Sequence, residues 1–468
     1  MRSKWINRLP FYVISMLALN LIVKGSTISG PEKPNDHAVD TPDFSMTGYA
    51  TVEAEGFITT TGGEGGTIDT VSSLEELLVY AASREENTAP GILYIKGKIE
   101  SAESIAVSIK HGANISIIGI GRDAELKNAG LKIWDYNNVI LRNLTIHEVL
   151  YPNDAITIDE CHHVWIDHCE LYSNIGEGID VDTYDGLLDI KNGSRYVTVS
   201  WNYLHDHMKC SLIGHSDASS HESIDSQFRI TFHHNYFRLT DGRNPSLRFG
   251  AIHMFNNYLE NIADYGIAVR QAGHAKLENN HFESVNIPVT TNKFDGPEGY
   301  ACLSGNIYSG TCSSDDNSIT QSGCDFWDDL PYSYTPDSAS QTAMLVKLFA
   351  GAGVLDTVKA ADPDTTEIPA DSEEVTMPLL FPCFSVSLPY PQPVRNVLNI
   401  VMSLPEPGPV EVMVIDMSGK CLGSFFSGFL HEGINAIQLE RGNLQTGLYF
   451  YVFNYHVYQI LRKVVYTD

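Results

Sequence analysis

An eight-residue pattern that returns six times constrains this chain more than any other feature. Residues 139–146, 164–171, 197–204, 230–237, 252–259 and 275–282 each carry apolar residues at their first, third and last positions. The first and third positions match the period of a short strand with one buried face. In four of the segments the sixth residue is asparagine, at Asn202, Asn235, Asn257 and Asn280. Successive segments start 25, 33, 33, 22 and 23 residues apart. A strand, a turn and a return path of about 22 residues make one coil of a solenoid. Asparagines stacked at one turn would pass amide hydrogen bonds from coil to coil and satisfy groups otherwise buried unpaired. The fold expected is all-β, a right-handed parallel β-helix. A generic β-sandwich would show the alternation but not asparagine in fixed phase.

Outside the repeats the chain changes character. Arg2, Lys4 and Arg8 precede an apolar run over residues 11–23, with Gly25 and Ser26 after it. That run is shorter than the ~20 residues a membrane helix needs, so residues 1–25 read as a signal peptide and the mature chain is expected to have no membrane span. Eight cysteines then fall in an oxidising compartment, with Cys302, Cys312 and Cys324 clustered. The number of possible pairings leaves their connectivity open. Ser73 to Ala82 reads as an N-capped amphipathic helix, and residues 341–350 as a helix closing the repeat domain. The glycine run at 61–66 lacks the lysine of a phosphate loop. Residues 45–355 are taken as the β-helix domain, 356–382 as an acidic linker, and 383–468 as a small β-sandwich. The last rests on alternation such as Val410-Glu411-Val412-Met413-Val414.

Charge narrows the partners. With 30 Lys+Arg against 58 Asp+Glu, the chain carries a formal charge of −28, which argues against a nucleic-acid partner. It also repels an acidic polysaccharide unless a cation or a local basic cluster intervenes. Both devices are readable in the two expanded coils, where insertions of a solenoid become surface loops, often on the binding face. Asp167 ends one strand, and Glu177, Asp180, Asp182, Asp185 and Asp189 follow it. Several loop carboxylates can satisfy calcium, a hard cation that takes oxygen ligands without strict geometry. Lys209, Arg243 and Arg248 run against the global charge. Stacking would set an acidic shelf beside a basic one, fit to hold an anionic sugar. The many histidines, among them His162, His163, His168, His205, His207, His215, His233 and His234, read as strand-end groups bonding between coils rather than as zinc ligands.

With these residues in place, the chain resembles the pectate lyases of polysaccharide lyase family 1 from about Gly48 to Gly353. The resemblance lies in Val164-Trp165-Ile166-Asp167-His168, in Tyr184-Asp185-Gly186-Leu187-Leu188-Asp189-Ile190, across 197–217, and in Arg243-x-Pro245-x-x-Arg248. It implies calcium as cofactor on Asp167, Asp185 and Asp189, with a further carboxylate from Glu177, Asp180 or Asp182. It implies Arg243 as the Brønsted base, Lys209 and Arg248 as ligands of substrate carboxylates, and de-esterified polygalacturonate as substrate, cleaved by β-elimination. The end of the chain resembles the sorting domain of type IX secretion cargo, through Tyr390-Pro391-Gln392-Pro393-Val394, Val414-Ile415-Asp416-Met417-Ser418-Gly419-Lys420 and Thr446-Gly447-Leu448-Tyr449. A secreted monomer that meets the export machinery through this domain is the expectation. A pectin lyase, a β-helix hydrolase and a non-catalytic pectin-binding protein stay open as alternatives.

Overall fold

The computed structural model describes residues 42–327, 329–355, 385–386, 394–404, 407–416, 421–431, 433–455 and 458–467. The expected export segment 1–25 and linker 356–382 lie outside the described residues, as do Tyr390-Pro391-Gln392-Pro393 and the turn Met417-Ser418-Gly419-Lys420. The repeats form a parallel β-helix whose coils have three faces. Face one stacks His162–Asp167, Arg195–Ser200, Arg229–His233, Ala251–Phe255, His274–Glu278 and Tyr300–Ser304. Face two stacks Thr145–His147, Glu170–Tyr172, Tyr203–Lys209, Tyr236–Gly242, Tyr258–Ile262, His281–Val285 and Ile307–Ser309. Face three stacks Ile156–Asp159, Leu188–Lys191, Ser211–Ile213, Ser246–Arg248, Ile267–Arg270 and Val289–Thr290. The opening coils run through one long extended stretch, Gly91–Arg142.

The register explains the sequence pattern. Val139, Val164, Val197, Ile230, Ile252, Ala275 and Ala301 pair in one column. The third positions, from Leu141 through Ile166, Val199, Phe232 and Met254 to Leu277, form a second column, and both point into one continuous apolar interior. Position five is where each coil turns from face one to face two. It is held in the left-handed region at Asn143, His168, Trp201, His234, Asn256, Asn279 and Gly305, with φ from 48° to 65°. Only Gly305 takes that conformation without a Cβ penalty. At Trp201, His234, Asn256 and Asn279 the next residue is a member of the ladder that follows.

That ladder is the expected asparagine stack, one member longer than the sequence reading. Asn202, Asn235 and Asn257 each donate through Nδ2 to Oδ1 of the next, and Asn257 donates to Asn280. Asn280 continues to Asn306 at 3.1 Å. Each carboxamide also bonds a main-chain carbonyl of the preceding coil, as Asn235 does to Val199 at 2.8 Å. Asn306 escaped the sequence pattern, although 301–308 repeats it, with Ala301 and Leu303 in the apolar places.

One end of the stack is covered by a helix. Helix Leu74–Ser83, whose Ser73 accepts from the Glu76 amide, buries Leu77, Tyr80 and Ala81 in the interior. Helix Ala339–Phe349 lies along the flank rather than across an end, with Val346 against Tyr236 and Tyr258 of face two. Among the described residues Cys302 is bonded to Cys324, while Cys161, Cys169, Cys210 and Cys312 are buried thiols. The glycine run at 61–66 is a docked turn: the amides of Thr61 and Gly62 donate to Asn138 and that of Gly63 to Ser116. Near the end of the chain, Ser385–Val386, Val397–Leu404 and Gly433–Glu440 make one antiparallel sheet. Gly408–Asp416, Cys421–Leu430, Gly447–Tyr455 and Tyr458–Tyr466 make another. Leu398, Ile400 and Met402 of the first meet Val410, Val412, Val414 and Phe453 of the second in a common core, so this segment is the expected sandwich.

Asn235 accepts from Asn202 and donates to Asn257 and Val199, so Asn235→Ala leaves several buried polar groups unpaired. It should cost about 2–4 kcal/mol in denaturant unfolding, against ~1 kcal/mol for Asn306→Ala at the partly exposed end. Equal, small losses at both positions would remove the ladder from the account.

Candidate active site

The turn from face two to face three brings one chemically useful residue per coil into a column. Main-chain bonds set its register: Ala155 N–H to Gly186 O at 3.0 Å, Leu187 N–H to Cys210 O at 2.9 Å, and Ser211 N–H to Arg243 O at 2.6 Å. Asp154, Gly186, Lys209 and Arg243 therefore climb the stack at successive coils, about 5 Å apart per layer, with Asp185 one residue before Gly186. Asp189, Lys191 and Arg248 stand beside them on the face-three strands.

The acidic end is built around Asp154 and Asp189, both buried. Asp154 accepts from the Gly186 amide at 2.9 Å, from Thr157 Oγ1 at 2.7 Å and from Lys191 Nζ at 2.9 Å. Asp189 accepts from the Leu212 amide and lies 3.3 Å from Lys191 Nζ. Burial pushes the Asp189 carboxyl well up, and the charge of Asp154 adds to it, with Lys191 and Arg243 opposing. One ammonium is thus too little positive charge for the pair. Gly186 shows where more would go: a Cβ there would stand 2.4 Å from Asp189 Oδ1 and 2.9 Å from Asp154 Oδ1. Two carboxylate oxygens converge on that cradle, and Asp185 adjoins it in sequence. The donor set is hard oxygen, which suits a divalent cation such as calcium.

His207 steadies this end. Its Nε2–H donates to the Asp185 carbonyl at 2.5 Å, and Nδ1 accepts from Ser173 Oγ at 3.0 Å. Burial depresses its pKa to about 4, so the ring is neutral and can play both parts at neutral pH. Lys209 extends over the same residues, 3.2 Å from Asp185 and 3.5 Å from Asp182.

The basic end follows. The charge of Arg243 is felt at Asp189, His207, Tyr265 and Arg270. Arg243 has φ 61° and makes no ion pair among the described residues. Its neighbours are held differently. Arg248 Nε donates to Asp217 at 2.6 Å and its Nη1 to Gly214 O at 2.9 Å. Arg270 Nη2 donates to the other Asp217 oxygen at 2.8 Å. Burial raises the Asp217 carboxyl, yet the bond from Arg248 and the two guanidiniums outweigh it and hold the group below its usual range. Asp217 fixes two arginines side by side and leaves Arg243 uncommitted.

Asp185, Asp189, Lys209, Arg243 and Arg248 are thus brought together as the sequence implied. Asp167 is not. It lies on face one, wholly buried, with Oδ1 accepting from Ser200 at 2.6 Å and Oδ2 from Arg142 at 2.8 Å and His168 at 2.7 Å. Both oxygens are spent in the wall of the solenoid, and Asp154 takes the place in the acidic cluster expected of it. Glu177 and Asp180 are exposed, and Asp180 is turned to its own loop through Thr183 and the Asp182 amide. The missed residues, Asp154 and Arg270, had a signal in the face-three repeat. Asp154-Ala155-Ile156 precedes one strand of that face as Asp185-Gly186-Leu187-Leu188 precedes the next, and Arg270 pairs with Arg248.

Residues 37–355 match the pectate lyase family. The chain belongs to the pectate lyase family. Residues 389–467 match the secretion system C-terminal sorting domain, which places the protein outside the cell or at its surface. A pectate trisaccharide-lyase of Bacillus licheniformis is 38% identical over 315 residues, 66% of this chain and 87% of its own length. Pectate lyase A of Aspergillus niger is 35% identical over 317 residues, 66% of this chain and 89% of its own. A pectate lyase of a Bacillus species, solved in complex with trigalacturonate, superposes with a TM-score of 0.58 at 33% identity, covering 66% of this chain and 99% of that one. Pectate lyase II of Xanthomonas campestris gives 0.58 at 28% identity, again over 66% and 99%. As a pectate lyase the chain is a polysaccharide lyase.

The two aspartates separate experimentally. Asp167→Asn should lower unfolding stability by about 3 kcal/mol, since it strips a buried partner from Arg142, and should leave calcium affinity unchanged. Asp154→Asn should do the reverse, weakening calcium binding by ~10-fold or more in calorimetry with the fold intact. Loss of calcium affinity in Asp167→Asn alone would reinstate Asp167 as a ligand.

Proposed function

We propose that this pectate lyase is calcium-dependent and cleaves α-1,4-linked polygalacturonate by β-elimination, releasing 4,5-unsaturated oligogalacturonides. The observation that carries the reading is the juxtaposition of the Asp154, Asp185 and Asp189 carboxylates with Lys209, Arg243 and Arg248 on one turn of a strongly acidic protein. Asp154, Asp185 and Asp189 would hold calcium, with Gly186 leaving the room that the Asp154 and Asp189 oxygens face. Bound there, calcium supplies positive charge that neutralises a galacturonate carboxylate and so eases charge build-up at C5.

The chain's own residues do the rest. Lys209 and Arg248 would bind sugar carboxylates, Lys209 as a point charge beside Asp185 and Arg248 as a fork steadied by Asp217. The C5 hydrogen is acidic because it lies next to a carboxylate, and cations around that carboxylate stabilise the enolate-like charge as it develops. Arg243, which has no carboxylate partner among the described residues, would take the C5 proton in its neutral guanidine form and become guanidinium. The electron pair left behind forms the C4–C5 double bond while the bond from C4 to the glycosidic oxygen breaks. The departing chain leaves with that oxygen and gains a proton from water.

Absorbance at ~235 nm, where a conjugated unsaturated uronate absorbs, tests this directly. The full chain with polygalacturonate and calcium should raise it; a chelator should abolish the rise and excess calcium restore it. Arg243→Ala should cut turnover ~10²–10⁴-fold, the span of a lost general base, with calcium affinity kept. New reducing ends without absorbance would mean hydrolysis, and full activity in Arg243→Ala would remove it as the base.

A further inference from the structure

The loop that carries Asp217 holds a second constellation, of different chemistry from the acidic seat. The chain leaves face three at Ile213 and returns to face one at Arg229, and between them come His215, a short turn Ser219–His221 and the helical turn Glu222–Asp225. One ligand atom from each of His215, His221 and Asp225 lies within 4.8 Å of the other two. The His215 and His221 rings stand nearly perpendicular with centroids 4.7 Å apart.

Two polar atoms there lack partners among the described residues. Asp225 is wholly buried; its Oδ1 accepts from the Gly193 amide at 3.0 Å, and its Oδ2 has no hydrogen-bond partner. His221 Nδ1 is likewise buried and unpartnered. Buried polar atoms without partners are uncommon in native structures, and an unbound ion is one of their ordinary explanations. Turn geometry accounts for Oδ1 and leaves Oδ2 over.

We propose that His215, His221 and Asp225 form a zinc site. Two imidazoles and one carboxylate are a borderline donor set that suits zinc and is wrong for calcium, which takes oxygen. Tetrahedral zinc with bonds of ~2.0–2.1 Å sets its ligand atoms ~3.3 Å apart. Closing from 4.8 Å needs only small side-chain movements, and His215 is exposed and able to make them. Three protein ligands leave the fourth position to water. The ligands bracket Asp217, so zinc would stiffen the segment whose carboxylate orients Arg248 and Arg270. Its role is that of a clamp beside the sugar-binding groups, with no part in proton transfer.

The test uses the full chain without a histidine tag, stripped of metal and reloaded with saturating calcium so that the acidic seat is filled. Titration with zinc chloride in a calorimeter should give one zinc per chain. His221→Ala should weaken binding ~10-fold or more. Asp225→Asn should do so too, while keeping an oxygen for the Gly193 amide and hence the turn. Cobalt(II) in place of zinc should show visible ligand-field absorption in the parent and not in the variants. No saturable zinc binding by the parent, or binding unchanged in both variants, would overturn the site. Neither outcome depends on lyase turnover, so failure here is distinct from failure of the calcium-dependent reading.

Discussion

Register between coils is the constraint on which the rest depends, and the asparagine ladder enforces it. Each carboxamide of Asn202, Asn235, Asn257 and Asn280 bonds both the next asparagine and a carbonyl of the coil before. A slip of one residue would break every such bond and turn the apolar column from Val139 to Ala275 outward. Because coils cannot slip, side chains at equivalent turn positions are held one strand spacing apart. Asp154, Lys209 and Arg243, scattered over 90 residues of sequence, thereby become one vertical series, with Asp185 beside it next to Gly186. The candidate site is a by-product of the same regularity that stabilises the fold.

Electrostatics divides that series into two ends. The acidic end keeps more negative charge than Lys191 can offset, and burial makes the excess costly. The basic end gathers Arg243, Arg248 and Arg270 on a chain of net charge −28, with Asp217 the one carboxylate bonded to two of them. A polyanion repelled by the surface at large meets here a local reversal of sign. A divalent ion at one end and free guanidinium at the other would satisfy both.

How much of this could be read beforehand follows from the physics of each position. The first and third residues of each repeat were legible because burial on one face of a strand imposes period two, and asparagine in fixed phase marked the turn. Asn306 was missed because its segment ends in the polar-tipped Tyr308, where the others end in Ile, Leu or Phe, and no long hydrophobic run announces its strand. Asp185, Asp189, Lys209, Arg243 and Arg248 were legible in short motifs. Asp154 was not, since it sits on a coil of ordinary length, outside the two expanded coils where binding loops are expected. Asp167 misled for the converse reason: it is close in sequence to the acidic loop, yet a strand ending on face one delivers its carboxylate to Arg142, Ser200 and His168. Sequence distance reports loop membership; only the stack reports which face a residue joins. The histidines were mostly rightly read as groups bonding within and between coils, as His207 does to Ser173 and Asp185. His215 lies on an insertion outside the stack, where that rule has no force.

The central claim is that cation seat and guanidinium act on one stretch of sugar. Diffraction from crystals of Arg243→Ala grown with calcium and an oligogalacturonate tests it most directly. The account predicts calcium among the carboxylates of Asp154, Asp185 and Asp189, a sugar carboxylate shared with Lys209, and a C5 hydrogen facing position 243. Calcium bound at Asp167, or sugar lying on another face of the coils, would contradict it.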